Sequence, residues 1–432
     1  MQQFAQTTHW NFGQKLAFRF ISVFFALFIF PFPLNIIPGI NEIVEPYNDL
    51  WSWMVSWVGS NILGIEQTIT LVFTGSGDKL YDWVQNFIIL CLTLIIGIVW
   101  TILDRKRPNY EKLKQWFVLF LTYYLVYFMF VYGIIKLFYL QFVPPNLERL
   151  MQTFGQASPM RLIWTFMGFS ESYTMFSGFS ETMAGVLLMF RRTRTLGGLV
   201  AFGVMLNVFM MNMSYDVPVK LFSAQLMLMG LYIACLDFKR LMNFFIFNKT
   251  VGPSIHKPLF KSKTGQIILL AIQVVLIGYI IINQVMVSME GRERYGSERE
   301  KPAFYGVYNV ETYISNSDTI PPLTTDSVRW EHMLVDYPAF TSIIKMDGRL
   351  QRYNSKIDTV NQKFVFTLPS DTVNQYELYY KLKDKDIRLS GILQGDTINV
   401  DLKYYPLENF ALLNRGFNWV NEVPYNRYNY DH

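Results

Sequence analysis

Residues 115–137 read QWFVLFLTYYLVYFMFVYGIIKL, and the first 21 of them carry no charge. A helix needs about 20 apolar residues to cross the hydrocarbon core of a bilayer, which is about 30 Å thick. Gln115–Ile135 therefore predicts a transmembrane helix. A lysine, Lys136, directly follows this run.

The composition of the whole chain separates it from soluble enzymes. Hydrophobic residues make up 51% of the 432 residues and charged residues 16%, against about 25% charged in soluble globular proteins. A disordered chain is excluded, because such chains lack apolar surface to bury. With the first run, six others predict a membrane α-helical bundle of about seven transmembrane helices: Phe20–Ile40, Trp83–Leu103, Leu162–Phe190, Thr195–Tyr215, Leu221–Leu236 and Gln266–Met289.

Charge divides the chain into two unlike parts. Residues 1–288 hold 21 Lys and Arg against 13 Asp and Glu, whereas residues 289–432 hold 17 against 20. The basic excess lies in the apolar part, where it indicates membrane topology rather than a nucleic-acid surface. Basic residues concentrate on one side of the predicted spans, at Lys15, 105–107, 112–114, 191–194 and 239–263. By the positive-inside rule the N-terminus is cytoplasmic, and seven spans place the C-terminal domain outside.

The segment 41–80, after the first span, is marked by tryptophan. Trp51, Trp53 and Trp57 lie close to Leu50 and Met54. Tryptophan is enriched at membrane surfaces, because its ring is apolar and its N–H is polar. We therefore expect a short helix that lies at the outer interface, with a plain connector as the alternative.

The pattern changes after Met289. In 397–404 (TINVDLKY) polar and apolar residues alternate with the period of a strand. Asp347-Gly348 and Gln394-Gly395-Asp396 are typical of hairpin turns. These signals predict a C-terminal all-β domain.

We expect a linker at 290–302 and a periplasmic β-domain at 303–432. Its strands predict an antiparallel sandwich or small barrel over about 303–415. An aromatic tail follows, in which 415–427 read RGFNWVNEVPYNR. We expect the tail either to dock onto the membrane bundle or a partner, or to pack on its own sheet.

Cysteine and histidine exclude several cofactors. Cys91 and Cys235 lie in apolar runs and form no C-x-x-C pair. The four histidines lie outside those runs and show no metal-ligand spacing, so neither haem nor metal is expected. Methionines in the fifth and sixth spans are common fillers of apolar gaps, and we prefer this to a copper site. They are Met205, Met210, Met211, Met213, Met227 and Met229.

Ionisable side chains inside a membrane are costly and usually functional. Lys136 lies about 33 Å along the third span, and Glu181 about 15 Å from the cytoplasmic end of the fourth. We expect an outward-opening polar cavity in which Lys136 and Glu181 are the catalytic pair. The other residues expected to line it are Tyr132, Ser177, Ser180, Asn207, Asp216 and Gln225.

A desolvated lysine titrates near neutrality and can act as a base toward a phenol or a hydroquinone. The alternative is an ion pair, Lys136–Glu181 or Lys136–Asp216, that only fixes helix packing. Arg19 is close enough to the cytoplasmic face for its side chain to reach water, so a structural role is expected for it.

Several of these residues belong to a recognisable pattern. The stretch 179–188 (FSETMAGVLL), followed by 193–197 (TRTLG), resembles the E-x-x-x-G-x-L-L segment and Thr-Arg turn of the DoxX-like membrane proteins. Asn207 and 216–221 (DVPVKL) continue the match, and 132–137 (YGIIKL) is similar to the G-x-x-K helix end of that group. The likeness is strongest over about 130–236.

The resemblance implies a location and a type of chemistry. With its outer β-domain and terminal aromatic string, the chain resembles DoxX-family proteins of the Bacteroidota, which implies an inner membrane and a periplasmic β-domain. DoxX-like proteins are tied to quinone-linked sulfur or redox metabolism and to detoxification. A quinone is thus the cofactor that the resemblance implies.

The same core is similar to the HTTM bundle of the vitamin K-dependent gamma-carboxylases. There a membrane lysine deprotonates a hydroquinone, and a β-rich domain follows on the non-cytoplasmic side. The resemblance implies that role for Lys136 in 132–136 (YGIIK). This chain is much shorter and shows no carboxylase substrate region, so carboxylation is not expected.

Two functions from different classes remain open. The first is a DoxX-like inner-membrane protein that binds a quinone or lipid in a periplasmic redox or envelope process, and whether it is an enzyme is left open. The alternative is a non-enzymatic membrane scaffold that binds an envelope partner through 303–432. An HTTM-like enzyme comes third. A transporter is less favoured, because the sequence shows no internal repeat and no matched pair of broken helices.

Overall fold

The structure, a computed structural model, describes residues 9–71, 74–253 and 258–422. They form two compact units. The first comprises the described residues up to Phe142, with Pro159–Trp164 and Glu171–Gly291. The second comprises Val143–Ser158, Thr165–Ser170 and the described residues from Arg292 onward. Two short segments from the region assigned to the bundle by sequence thus belong to the β-rich unit.

The described residues up to 294 form helices joined by loops. The helices are α1 Phe12–Ile29, α2 Asn41–Asn61, α3 Leu80–Leu103, α4 Glu111–Leu137, α5 Leu147–Met151, α6 Pro159–Phe169, α7 Glu171–Met189, α8 Arg194–Ser214, α9 Lys220–Cys235, α10 Phe238–Leu241 and α11 Lys263–Arg294. The predicted span at 115–135 lies inside α4. The predicted linker at 290–302 is partly helical, because α11 continues to Arg294.

Five of the described helices are long and apolar enough to cross a membrane, namely α1, α3, α4, α8 and α11. A sixth span would require α9 and the turn after it, which are bent by 72°. The predicted run Leu162–Phe190 is not one helix, because it breaks at Ser170 into α6 and α7. Serine is a favoured residue before a helix, and an acidic residue in the first turn is stabilised by the helix dipole, which is consistent with the start of α7 at Glu171.

The core of the helical unit surrounds α4. Its side chains Leu121, Leu125, Val126 and Met129 are fully buried. The outer faces of α3 and α11 are instead covered by exposed apolar side chains, among them Leu94, Ile95, Val274 and Val275. Apolar helices with apolar outer faces are compatible with a membrane protein.

Helix α2 confirms the helix expected in segment 41–80. Trp51 and Val55 are buried against Val84 and Ile88 of α3, while Trp53 and Trp57 are exposed. The helix therefore has one face packed on protein and one tryptophan-rich face that is open.

The β-rich unit is an antiparallel barrel, which resolves the expected choice between sandwich and barrel. Strand order follows the chain, and β1 pairs with β9 to close eight strands into a ring, with the two-residue β2 paired to the end of β1. The strands are β1 Gly306–Ser315, β2 Asp318–Thr319, β3 Trp330–Tyr337, β4 Phe340–Lys345, β5 Leu350–Asp358, β6 Lys363–Leu368, β7 Asp371–Lys383, β8 Asp386–Leu393 and β9 Asp396–Tyr405. The predicted turns at Asp347-Gly348 and Gln394-Gly395 connect β4 to β5 and β8 to β9.

Side chains fill the interior of the barrel. Trp330, Tyr353, Phe364 and Phe366 are buried together there. An eight-stranded barrel is just wide enough for such filling. The alternation expected at 397–404 is observed in β9, where Ile398, Val400 and Leu402 point inward.

Helix α5 belongs to the barrel unit because it docks on the outside of β3 and β4. Leu147 is buried against Val307 and Leu334, and its backbone N–H donates to Asp336 Oδ2 at 2.9 Å. Glu148 accepts hydrogen bonds from Ser342 Oγ at 2.5 Å and from Arg352 Nη2 at 2.5 Å. Burial raises the pKa of Asp336, although hydrogen bonds from the Leu147 N–H and from Arg299 lower it.

Candidate functional site

The predicted catalytic pair lies where α4 and α7 cross with their backbones in close approach. A Cβ built on Gly178 would lie 2.6 Å from the Gly133 carbonyl oxygen and 2.7 Å from Lys136 Cβ. No side chain larger than glycine fits there without a shift. Small residues of this kind allow close packing of helices in membranes.

Each glycine is followed three residues later by a charged residue. Residues three apart share one helix face, so Gly133 brings Lys136 to the crossing, and Gly178 brings Glu181. Lys136 Nζ lies 2.6 Å from Glu181 Oε1 and 2.7 Å from Oε2. Their side chains are only 5% and 1% exposed. The structure thus forms one of the two ion pairs that the sequence allowed.

Helix position favours Lys136 as a cation. It lies in the last turn of α4, where the partial negative charge of the helix end stabilises a positive side chain. Its Nζ is also 5.7 Å from the centre of the Tyr132 ring, which is within cation–π range. Tyr132 is half-buried and stacks on Phe128, and both rings contact Phe222 of α9. An aromatic surface thus adjoins the ion pair.

The serines predicted to line the site make local contacts. Ser180 Oγ donates to the carbonyl of Phe176 in its own helix at 2.9 Å, and Ser177 is half-buried beside Gly178. Thr182 was not predicted, yet it faces the crossing. Its Oγ1 is buried next to Gly133 and has no hydrogen-bond partner among the described residues. Thr182 lies four residues after Gly178, and this spacing could have predicted that the two share one helix face.

Asn207 and Asp216 do not join the pair. Asn207 is exposed on the outer face of α8. Asp216 lies at the end of that helix with φ of 52°, its side chain is 85% exposed, and it pairs with Lys220 at 2.8 Å. The predicted Lys136–Asp216 pair is therefore wrong, because Asp216 turns toward the start of α9.

Gln225 lies in a separate cavity of about 160 Å³. Its Nε2 donates to Asn86 Oδ1 of α3 at 3.1 Å. The other residues that line the cavity are Phe28, Gly77, Asp82, Gln85, Ile89, Leu221 and Phe222. Phe222 thus contacts Tyr132 on one side and this cavity on the other. The eight predicted residues occupy several places rather than a single cavity.

Two polar positions near the ends of α8 and α9 were missed from sequence. Asn212 is buried and donates to Ser223 Oγ at 3.0 Å. Asp78 accepts the backbone N–H groups of Lys220 and Leu221 at 2.7 and 2.9 Å, and so caps α9. Asn207 and Asn212 are five residues apart, and the apolar sequence of α8 gave no periodicity that could tell which of them faces inward.

Arg19 is not solvated, contrary to the expectation that its side chain reaches water. It is 1% exposed and donates to Tyr110 Oη through Nε at 2.9 Å and Nη2 at 2.7 Å. Nη2 also donates to the Asp104 carbonyl, and Tyr110 Oη donates to Asp104 Oδ2 at 2.9 Å. Arg19 thus ties α1 to the loop between α3 and α4. The structural role expected for Arg19 is compatible with these contacts.

No group of three or more His, Cys, Asp or Glu side chains within residues 9–71, 74–253 and 258–422 is arranged to hold a metal ion. The predicted tail motif at 424–427 and two of the four histidines, His256 and His432, lie outside the described residues.

Comparison with known proteins relates part of the chain to a bacterial protein. No family model matches the chain. No solved structure matches it at a significant level. A curated relative from Bacillus subtilis (strain 168), described as the uncharacterized protein YwoB, is 33% identical over 124 residues, which is 28% of this chain and 77% of YwoB. The chain belongs to the YwoB family.

Membership of the YwoB family establishes an evolutionary relationship but assigns no biochemical activity to this chain. The match also covers little more than a quarter of this chain, so much of the helical unit or of the barrel lies beyond it. The functional proposal below therefore rests on the geometry of the ion pair between Lys136 and Glu181 and on its surroundings.

Proposed function

We propose that this protein is an envelope membrane protein that binds the headgroup of a quinone beside Lys136 and Glu181 and exchanges a proton with it. The observation that carries the proposal is the bidentate ion pair between two apolar helices. A buried ion pair seldom stabilises a protein more than apolar residues would. Ionisable groups at such depth usually serve a function.

The pair offers an acid and a base in one neutral unit. The Lys136 ammonium can donate a hydrogen bond to a quinone carbonyl, and a Glu181 oxygen can accept one from a hydroquinone O–H. If that O–H bond breaks, the proton forms a new O–H bond on Glu181, and the phenolate oxygen stays beside the ammonium. In an HTTM-like enzyme the lysine itself would take the hydroquinone proton, whereas in this proposal Glu181 takes it and Lys136 stabilises the phenolate.

The aromatic surface next to the pair suits a flat ligand. Tyr132 and Phe128 stack with their rings 6.1 Å apart and 25° from parallel, and Phe222 adjoins both. Aromatic side chains bind planar rings through offset or edge contacts. A quinone could reach this surface from the lipid, because its isoprenoid tail is apolar.

The proposed location follows from the apolar helices and the distribution of basic residues. The outer faces of α3 and α11 would contact lipid, the basic loops would lie in the cytoplasm, and the barrel would lie in the periplasm. The DoxX resemblance over about 130–236 supports an inner membrane and a quinone. It includes both Lys136 and Glu181.

The test measures quinone that remains bound during purification. Full-length protein is purified in mild detergent, and menaquinone and ubiquinone are quantified per protein by mass spectrometry. We expect a quinone in the wild type and a fall of at least about tenfold in the double variant Lys136→Met/Glu181→Gln. Changing both residues avoids leaving one buried charge unpaired.

A matched control separates this site from a general effect of charge. The variant Asp216→Asn/Lys220→Met removes a Lys–carboxylate pair that is exposed on its acidic side. It should retain the wild-type amount of quinone. Equal retention by the double variant at the α4–α7 crossing, or no retained quinone in the wild type even after menaquinone is added, would overturn the proposal.

A membrane scaffold is the second candidate, and one observation favours it. The described part of the tail is highly exposed, with Phe417 at 78% and Trp419 at 91%. Exposed aromatic side chains are common anchors at protein interfaces. Under this proposal, an envelope protein co-purifies in stoichiometric amount with the wild type and is lost from Phe417→Ser/Trp419→Ser, whereas the Lys136→Met/Glu181→Gln variant keeps it.

A further inference from the structure

The segment after α9 combines bulky apolar and basic side chains. The chain bends by 72° after Cys235, forms α10, and continues as a π-turn at Met242–Ile246 in which Phe247 N donates to Met242 O at 3.0 Å. Its apolar side chains are more than half exposed, and the segment carries three basic residues. The exposed apolar residues are Phe238, Phe244, Phe245, Ile246 and Phe247, and the basic ones are Lys239, Arg240 and Lys249.

A cavity of about 490 Å³ lies between this segment and the start of α8. Arg192 and Arg240 supply positive charge to its lining, and Leu241, Phe244 and Phe245 supply apolar surface. Thr195, Leu196, Asp237, Val251 and Pro253 complete the lining. The cavity therefore has a cationic part and an apolar part side by side.

Hydrogen bonds hold the cationic part in place. Asp237 Oδ2 accepts from Thr195 Oγ1 at 2.7 Å and from Arg240 Nη1 at 2.9 Å, and Arg240 Nε donates to the Gly252 carbonyl at 3.2 Å. The lining thus holds one carboxylate, that of Asp237, and two arginines. Arg191 and Lys239 add further positive charge nearby in sequence, so the net charge of this region is positive.

The start of α8 adds donors to the same region. Thr193, which precedes α8, makes no side-chain cap and instead donates its hydroxyl to the Leu187 carbonyl at 2.7 Å. The first N–H groups of a helix have no partner within the helix and favour an anion. The N-terminal end of α8 therefore places backbone N–H donors near the arginines of the lining.

We propose that this cavity binds the phosphate headgroup of an anionic phospholipid, with Arg192 and Arg240 at the phosphate. The acyl chains would lie along the exposed side chains of Leu196, Phe244 and Phe245. Charge complementarity selects an anionic lipid, and the apolar wall selects a lipid over a soluble phosphate. The inference rests on the membrane location in the proposed function and is independent of the Lys136–Glu181 site.

The experiment compares lipids on full-length protein in detergent by native mass spectrometry. Protein is titrated with phosphatidylglycerol and, separately, with phosphatidylcholine of the same acyl chains. We expect the wild type to retain phosphatidylglycerol at least about tenfold more tightly, and Arg192→Gln/Arg240→Gln to lose most of this preference. Arg105→Gln/Lys106→Gln, on another exposed basic loop, serves as the matched control and should change the preference by less than about twofold.

Other outcomes would overturn the inference. One is equal retention of the two lipids by the wild type, and another is an equal loss of preference in the control. Displacement of phosphatidylglycerol by inorganic phosphate alone would point to a soluble ligand instead. Because Arg240 also bonds Asp237 and Gly252, Arg192→Gln alone provides a milder variant that must still reduce the preference. Quinone content, measured on the same samples, separates failure here from failure of the proposed function.

Discussion

Two ion pairs in this molecule contrast sharply in what surrounds them. Lys136 and Glu181 pair between apolar helices, and both side chains are almost fully buried. In the barrel unit, Glu148 is 6% exposed but its partner Arg352 is 53% exposed, and Ser342 donates a third hydrogen bond to Glu148. One pair is removed from water on both sides, while the other keeps its arginine in water.

The barrel pair has an evident structural role, whereas the helical pair has none. Glu148 fixes α5 to the barrel, and hydrogen bonds from Ser342 and Arg352 offset the free energy that is lost when its carboxylate is buried. The Lys136–Glu181 pair lies where apolar residues would pack the helices as well or better. We therefore infer that the barrel pair is kept for structure and the helical pair for function.

Removing one partner of the helical pair should have the largest effect. Lys136→Met leaves Glu181 buried without a partner, and we expect a loss of about 3–5 kcal/mol in the free energy of unfolding. The double variant Lys136→Met/Glu181→Gln should recover most of that loss, because no charge remains buried alone. Thermal unfolding of the detergent-solubilised protein checks both. A double variant as unstable as the single one would break the contrast.

The glycine crossing should come next. Gly178→Ala introduces a Cβ 2.6 Å from the Gly133 carbonyl oxygen, so α4 and α7 must separate. We expect a loss of about 1–3 kcal/mol and reduced quinone content. Gly203→Ala is the matched control, because a Cβ there meets nothing within 4 Å and alanine favours a helix. If both variants behave alike, close packing does not position the pair.

The barrel pair should respond more weakly. Arg352→Met removes two hydrogen bonds to Glu148, at 2.8 and 2.5 Å, but leaves the bond from Ser342. We expect a cost of about 1–2 kcal/mol, seen as faster hydrogen exchange in the segment 146–151. Arg388→Met, which breaks the more exposed pair with Asp401, should leave that exchange unchanged. Unchanged exchange in Arg352→Met would show that α5 docks without the pair.

The smallest effect concerns pH and the barrel alone. Burial lowers the pKa of His332, and nearby Glu331 partly opposes this. A folded-state pKa below the unfolded value of about 6.5 means that stability is complete above pH 6.5 and is lost as the pH falls below it. Acidification from pH 7 to pH 5 should thus lower the Tm of the wild type more than that of His332→Gln. The raised pKa of Asp336 acts in the opposite direction in both proteins, so the difference isolates His332.

Much of the fold could be predicted because local patterns determine it. The uncharged run at 115–135 gave α4, and the alternation at 397–404 gave β9. Barrel closure could not be predicted, because β1 and β9 pair across about 90 residues and no local signal encodes their register. The docking of α5 on β3 and β4 could not be predicted for the same reason, since Glu148 and Ser342 of β4 are 194 residues apart.

In the candidate site, too, some features could be predicted from local sequence and others depended on tertiary packing. Lys136 and Glu181 stood out because charge is rare in apolar helices, and the structure brings them together. The glycine three residues before each was visible in sequence and marked the face on which they meet. Asn207, by contrast, was placed in the site by its position along the fifth span, and this position does not reveal which way a side chain points around an apolar helix. Asn212 occupies the inner face instead.

The most direct test of the central claim is to locate the bound quinone. Purified full-length protein is labelled with an azido-quinone by light, and the modified peptides are mapped by mass spectrometry. We expect labelling of α4 at 128–137 and of α7 at 177–185. Excess menaquinone should prevent this labelling, and the variant Lys136→Met/Glu181→Gln should not show it. Labelling elsewhere in the chain, or labelling that the double variant leaves unchanged, would contradict it.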